Sequence, residues 1–144
     1  MINTDTIDLL KECNAGIKMG VSSIEDIIDK TEDIEFRQIL SDSLKEHKRL
    51  GDETHNLLNE YNDSGKDPNP MAKGMSWLKT NMMMSVNGCD ETIADLITDG
   101  CNMGVKSLSK YLNKYAAADE KTKDITKKLI SMESQLAVDI RTYL

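Results

Sequence analysis

Aromatic side chains are nearly missing from this chain. One tryptophan, one phenylalanine and four tyrosines stand among 144 residues, so aliphatic side chains and the nine methionines have to fill the core. There are two histidines, His47 and His55, and they stand close together in sequence. No apolar run approaches the roughly 18 residues of a membrane span. Cations are outnumbered, and the net charge of −7 argues against a general nucleic-acid binder. It argues equally against docking on anionic lipid, so neither nucleic acid nor membrane is expected as a partner. Three cysteines, Cys13, Cys89 and Cys101, make no even-numbered disulfide framework. With no signal-peptide pattern, they lead to the expectation of a reducing, cytoplasmic setting. No phosphate loop, nucleophile–base pair or zinc cysteine pattern is found. No stretch alternates apolar and polar β-branched residues, so no strands are expected.

What the chain does have is a phrase used twice. Cys13-Asn14-Ala15-Gly16-Ile17-Lys18 returns as Cys101-Asn102-Met103-Gly104-Val105-Lys106. Each copy lies inside a long helical pattern, and each pattern is followed by a turn signal and a second long helix. A duplicated helical hairpin is the simplest reading.

The first helix is expected from residue 4 or 6 to about 31. Ile7, Leu10, Cys13, Ile17, Val21, Ile24 and Ile28 recur there at three- and four-residue steps. Asp33 is a good N-cap for a second helix over 34 to about 62. Its inner stripe runs Phe36, Ile39, Leu40, Ser43, His47, Leu50, Thr54, Leu57, Leu58 and Tyr61. Pro68 and Pro70, with Gly65, break the chain after Asp63. A shorter helix over about 71–86 follows, and Asn87-Gly88 stops it. Asp90 can cap a helix over about 91–115, and Asp119 a last helix carrying Ile125, Leu129, Met132, Leu136, Ile140 and Tyr143 inward.

The whole chain therefore reads as one all-α domain: hairpin one over 1–62, a crossover with a short helix over 63–89, and hairpin two over 90–144. Each main helix is about 25 residues, roughly 38 Å long at 1.5 Å per residue. The crossover can span that length, which gives an up-down-down-up, ferritin-like four-helix bundle. A pseudo-twofold axis would set the helix of Cys13 against that of Cys101, with the two phrases near each other. Gly16 and Gly20, and Gly100 and Gly104, are four apart, a spacing that lets helix backbones approach closely.

With the repeat in view, the chain resembles the small bacterial ferritin-like four-helix-bundle proteins of unknown function. The resemblance covers nearly the whole chain. It rests on Cys13-x-x-Gly16, the helix start at Asp33, Met71–Gly88 with Trp77 as crossover, and Cys101-x-x-Gly104. It implies carboxylates directly after the glycine of each phrase. This chain has Ile17-Lys18 and Val105-Lys106 there, hydrocarbon where a metal-binding relative would present oxygen.

The chemistry is thin. A di-iron bundle needs about four carboxylates and two histidines, including a Glu-x-x-His from each of two helices. Here both histidines share the second helix. Asp52-x-x-His55 lies at the rim of the apolar face, and Glu46 and Glu133 at face edges could be remnants of a site. No metal or other cofactor is therefore expected, with His47, Cys13, Cys101, Glu46 and Glu133 as weak metal candidates. His47 projects to the centre of its stripe, where a lone histidine is ordinarily a hydrogen-bonded core residue. The alternative is contact with a ligand or pH sensing. Cys13 and Cys101 face inward and read as small hydrophobes, or else as a soft two-thiolate site with Met103 or His47. Cys89 falls in a turn, with nothing cationic beside it to lower its pKa. Trp77 and Met84 fall on a second face of the crossover helix and are the candidate interface for a homodimer or another protein partner. No catalytic residues are assigned. The first functional expectation is a non-enzymatic structural or protein-interaction module. The alternative is a small-ligand or metal-binding bundle, and a further one, by fold analogy, is a di-iron oxidase or iron store.

Overall fold

A computed structural model describes residues 4–63 and 89–144. These residues form four α-helices: α1 (Thr4–Ile28), α2 (Ile34–Glu60), α3 (Asp90–Lys114) and α4 (Glu120–Asp139). A single 3-10 turn, Arg141–Tyr143, closes the sequence. Among the described residues there are no strands, and no helix is long and apolar enough to cross a membrane. The expected crossover helix, with Trp77 and Met84, lies outside the described residues.

Two helices, α2 and α4, start where the caps predict. The Asp33 carboxylate accepts from the Phe36 N–H at 2.9 Å, and that of Asp119 from the Thr122 N–H at 2.8 Å. At α3 the prediction is corrected. Cys89 is the N-cap residue and makes no side-chain cap bond. Asp90 turns its carboxylate outward instead, accepting the N–H groups of Glu32 and Asp33 at 2.9 Å each. It thereby pins the start of α3 to the α1–α2 turn. At the other end of α1, the Asp119 N–H donates to Thr6 Oγ1 at 2.9 Å and the Ala117 N–H to Asp5 at 3.0 Å. The start of α1 is thus tied to the α3–α4 turn. As α4 meets the other three helices, so α1 packs on α2, α3 and α4. α1 is shorter than expected: Thr31 leaves the helix and is buried in the turn, its hydroxyl donating to the Ile27 carbonyl at 3.1 Å.

Two apolar clusters fill the interior. One gathers Ile24, Ile27, Phe36, Leu40, Ile93, Ile97, Cys101, Leu136 and Ile140. The other gathers Leu9, Cys13, Ile17, Leu50, Leu108, Ile125 and Leu129. The first is closed by Tyr143, whose ring stacks on Phe36 with centroids 4.4 Å apart. Ile17 is 2% exposed, so the residue after Gly16 faces the core, as its place on the inward stripe predicts.

Asn14 is buried beside α2 and donates to Thr54 Oγ1 at 3.1 Å, but its Oδ1 has no partner. A buried acceptor left unmade costs stability, whereas exchanging both partners for apolar groups can be neutral. Thr54→Val alone is expected to lose about 1–3 kcal/mol, because it strands the Asn14 amide as well. Asn14→Leu combined with Thr54→Val should recover most of that loss. Urea denaturation of the three proteins measures it.

Candidate ligand cleft

The small residues of α1 and α3 face each other across a cleft of about 190 Å³. Gly16, Gly20 and Ser23 line one wall, and Gly100, Gly104 and Ser107 the other, with the same four-then-three spacing on both helices. Met19 and Met103 join them, and Met103 is 49% exposed. Leu96, Ile97, Leu108, Leu129 and Leu136 make the cleft largely apolar. Gly20, Gly100 and Gly104 do not serve backbone-to-backbone packing as their spacing predicts. A Cβ on Gly20 would stand 3.0 Å from His47 Cδ2 and 3.2 Å from Nε2. A Cβ on Gly104 would stand 3.6 Å from Glu133 Oε2, and one on Gly100 would meet nothing within 4 Å. Gly20 thus makes room for an imidazole, Gly104 lies against a carboxylate, and Gly100 keeps space open.

His47 and Glu133 form the polar element of this cleft. Both come from near the midpoints of their helices, α2 and α4, so the pair divides the two apolar clusters. His47 Nε2 lies 2.7 Å from Glu133 Oε1, a charge-assisted distance, and the two side chains are 1% and 13% exposed. His47 Nδ1 lies 2.8 Å from the Ser43 carbonyl, which can only accept, so Nδ1–H donates there. Acceptors on both sides of the ring favour the imidazolium. Burial alone would push the imidazole pKa down. The Glu133 hydrogen bond and charge outweigh it, helped by the Ser43 carbonyl and the Glu46 charge, and the value is raised above its usual 6.5.

The two inward thiols belong to different clusters. Cys13 shares a hydrogen bond with Thr126 at 3.2 Å, and burial pushes its thiol up from 9.0 to about 11. Cys101 lines the cleft, where burial, the Glu133 charge and a hydrogen bond to that carboxylate also push its pKa up. Both are protonated at neutral pH and are poor nucleophiles or ligands as they stand. Because the folded pKa of Cys13 is raised, its contribution is intact below pH 9 and fades as pH climbs towards 11. Between pH 8 and 11, wild type should lose about 2 kcal/mol more than Cys13→Ala, by chemical denaturation at the two pH values. Cys89 corrects an expectation. It is exposed as its turn position predicts, but a hydrogen bond with the Thr92 hydroxyl at 3.2 Å lowers its pKa without a cation.

Of the remaining candidates, Glu46 pairs with Arg49 at 3.2 Å on the surface side of α2 and reaches His47 by charge alone. His55 is exposed, as its rim position predicts. Among the described residues no group of three or more His, Cys, Asp or Glu side chains could hold a metal ion. Glu133, at a face edge of its helix by periodicity, crosses the bundle to His47, a contact that no local sequence signal marks. Searches against family models, curated proteins and solved structures give no match for this chain.

Proposed function

We propose that this chain is a ferritin-like bundle in up-down-down-up order that binds a small molecule in the α1–α3 cleft without transforming it. The ferritin-like order is supported by the two end ties. Asp90 holds the start of α3 at the α1–α2 turn, and Thr6 holds the α3–α4 turn at the start of α1. The binding reading is carried by one observation: a buried His47–Glu133 pair on the wall of a largely apolar cleft. A concave apolar site with few convergent polar groups and a perturbed pKa is the usual form of a ligand pocket. An ion pair of this kind adds little net stability over apolar side chains of similar volume, so stability alone does not account for it. The cleft's thiol, Cys101, is held protonated, which supports binding rather than nucleophilic chemistry. The competing interaction reading, a homodimer through Trp77 and Met84, draws on residues outside those described.

A set of uncharged fragment-sized compounds, followed through the methionine methyl signals, tests the proposal. Hits should shift Met19 and Met103 together, since both line the cleft. A side chain at Gly100 starts into open space, with nothing within 4 Å of its Cβ, so Gly100→Leu should occupy the cleft and abolish those shifts. Absence of hits, or shifts that survive Gly100→Leu, would reject the cleft as a binding site.

A further inference from the structure

We infer that the ligand is an uncharged, compact apolar molecule with a single N–H or O–H donor, which it gives to Glu133. This rests on the binding reading above and specifies what the cleft selects. Size comes first. An engineered apolar cavity of about 150 Å³ takes up benzene, so a cleft of about 190 Å³ suits a fused bicyclic ring or a molecule of that bulk. Charge comes next. Among the described residues, the ionisable groups lining the cleft are His47, Cys101, Tyr111 and Glu133. The histidine is already paired to the carboxylate, so an anion would find Glu133 and no free cation among these lining groups. A cation would add a third charge to a pair that is already neutral as a whole, in walls that solvate charge poorly.

Hydrogen bonding fixes the polarity of the recognised group. His47 cannot serve a ligand, because its two nitrogens are committed to Ser43 and Glu133. Glu133 can. Its Oε1 is held by His47 at 2.7 Å, which fixes the carboxylate, while Oε2 lies against Gly104 on the cleft wall. The Cys101 thiol is close enough for this carboxylate to raise its pKa, and a thiol is a weak donor that a ligand N–H or O–H readily outcompetes. With glycine at 104, no side chain stands between this oxygen and the α3 wall. His47 and Gly104 are therefore positioning residues, and Glu133 is the group that touches the ligand.

Indole and its donor-free analogue indene test this, with indole-3-acetate as the anionic control. Titration calorimetry on the full chain should show indole binding about 10- to 100-fold more tightly than indene, the range of a hydrogen bond to a charged group. Indole-3-acetate should bind more weakly than either. In Glu133→Gln, which keeps the shape but loses the charge, the indole preference should fall below about tenfold. Circular dichroism confirms that the variant is folded, and Gly100→Leu should remove indole and indene alike. Equal affinity for indole and indene, both lost in Gly100→Leu, would overturn the donor assignment and leave the cleft reading standing. Tighter binding of indole-3-acetate would overturn the charge argument. If neither indole nor indene binds wild type, the cleft reading falls with the inference.

Discussion

Replacing His47 with alanine should destabilise the fold by about 3 kcal/mol or more, because it leaves the Glu133 carboxylate largely buried without its partner. The imidazole is 1% exposed, so its removal also opens a void between α1, α2 and α4. The informative comparison is the double variant His47→Leu with Glu133→Leu. It exchanges the pair for hydrocarbon of similar bulk, and pairs so exchanged are often neutral or even gain stability. A double variant at least as stable as wild type, but without the preference for a donor-bearing ligand, would separate the pair's role in recognition from its role in folding. The effect also depends on pH in a definite direction. The folded pKa of His47 is raised, so the charged pair's contribution is complete below about pH 6.5 and is lost as pH rises through that folded value. The stability gap between wild type and His47→Ala is therefore widest in mild acid and narrows in alkali. Denaturation at pH 6 and at pH 9 reads it directly, and a gap that widens with pH would contradict the imidazolium assignment.

Phe36→Ala is the second large effect, at about 3–5 kcal/mol. Phe36 is the chain's one phenylalanine and is fully buried in the cluster that joins α1, α2, α3 and α4. Its ring lies nearly parallel to that of Tyr143, at an interplanar angle of 9°. Stacking of this kind adds about 0.5–1.5 kcal/mol beyond area burial. Tyr143→Ala should accordingly cost much less than Phe36→Ala, and the double variant should cost less than the sum of the two by about that coupling energy. Additive losses would show that the stack contributes packing alone. The Asp33 cap bond goes to the backbone N–H of residue 36, which alanine keeps, so the loss comes from the side chain alone.

Much of the architecture was legible because helical burial is periodic. Steps of three and four residues put Leu10, Cys13, Ile17 and Ile24 on one face of α1, and all four are buried. Asp33 and Asp119 were legible as caps because a short acceptor before an apolar run has one local use. Asp90 was misread for the same reason. A carboxylate at a helix start looks like a cap in sequence, and only its distance to the Glu32 and Asp33 N–H groups shows it serving another turn. Cys89 was misread because a hydrogen bond with Thr92, rather than a cation, lowers its pKa.

The sequence by itself determined that these segments are helices, where the described ones begin, which faces they bury, and that His47 points inward. Those properties are local or periodic, and each is set by residues within a few positions of one another. The tertiary structure alone decided what His47 meets. Glu133 is 86 positions away on α4, and its edge position on that helix is equally compatible with solvent. It also decided that Gly20, Gly100 and Gly104 border a cleft rather than a tight backbone contact. Glycine records an absence of side chain, and only the neighbouring helix shows whether an imidazole, a carboxylate or open space occupies the place it leaves.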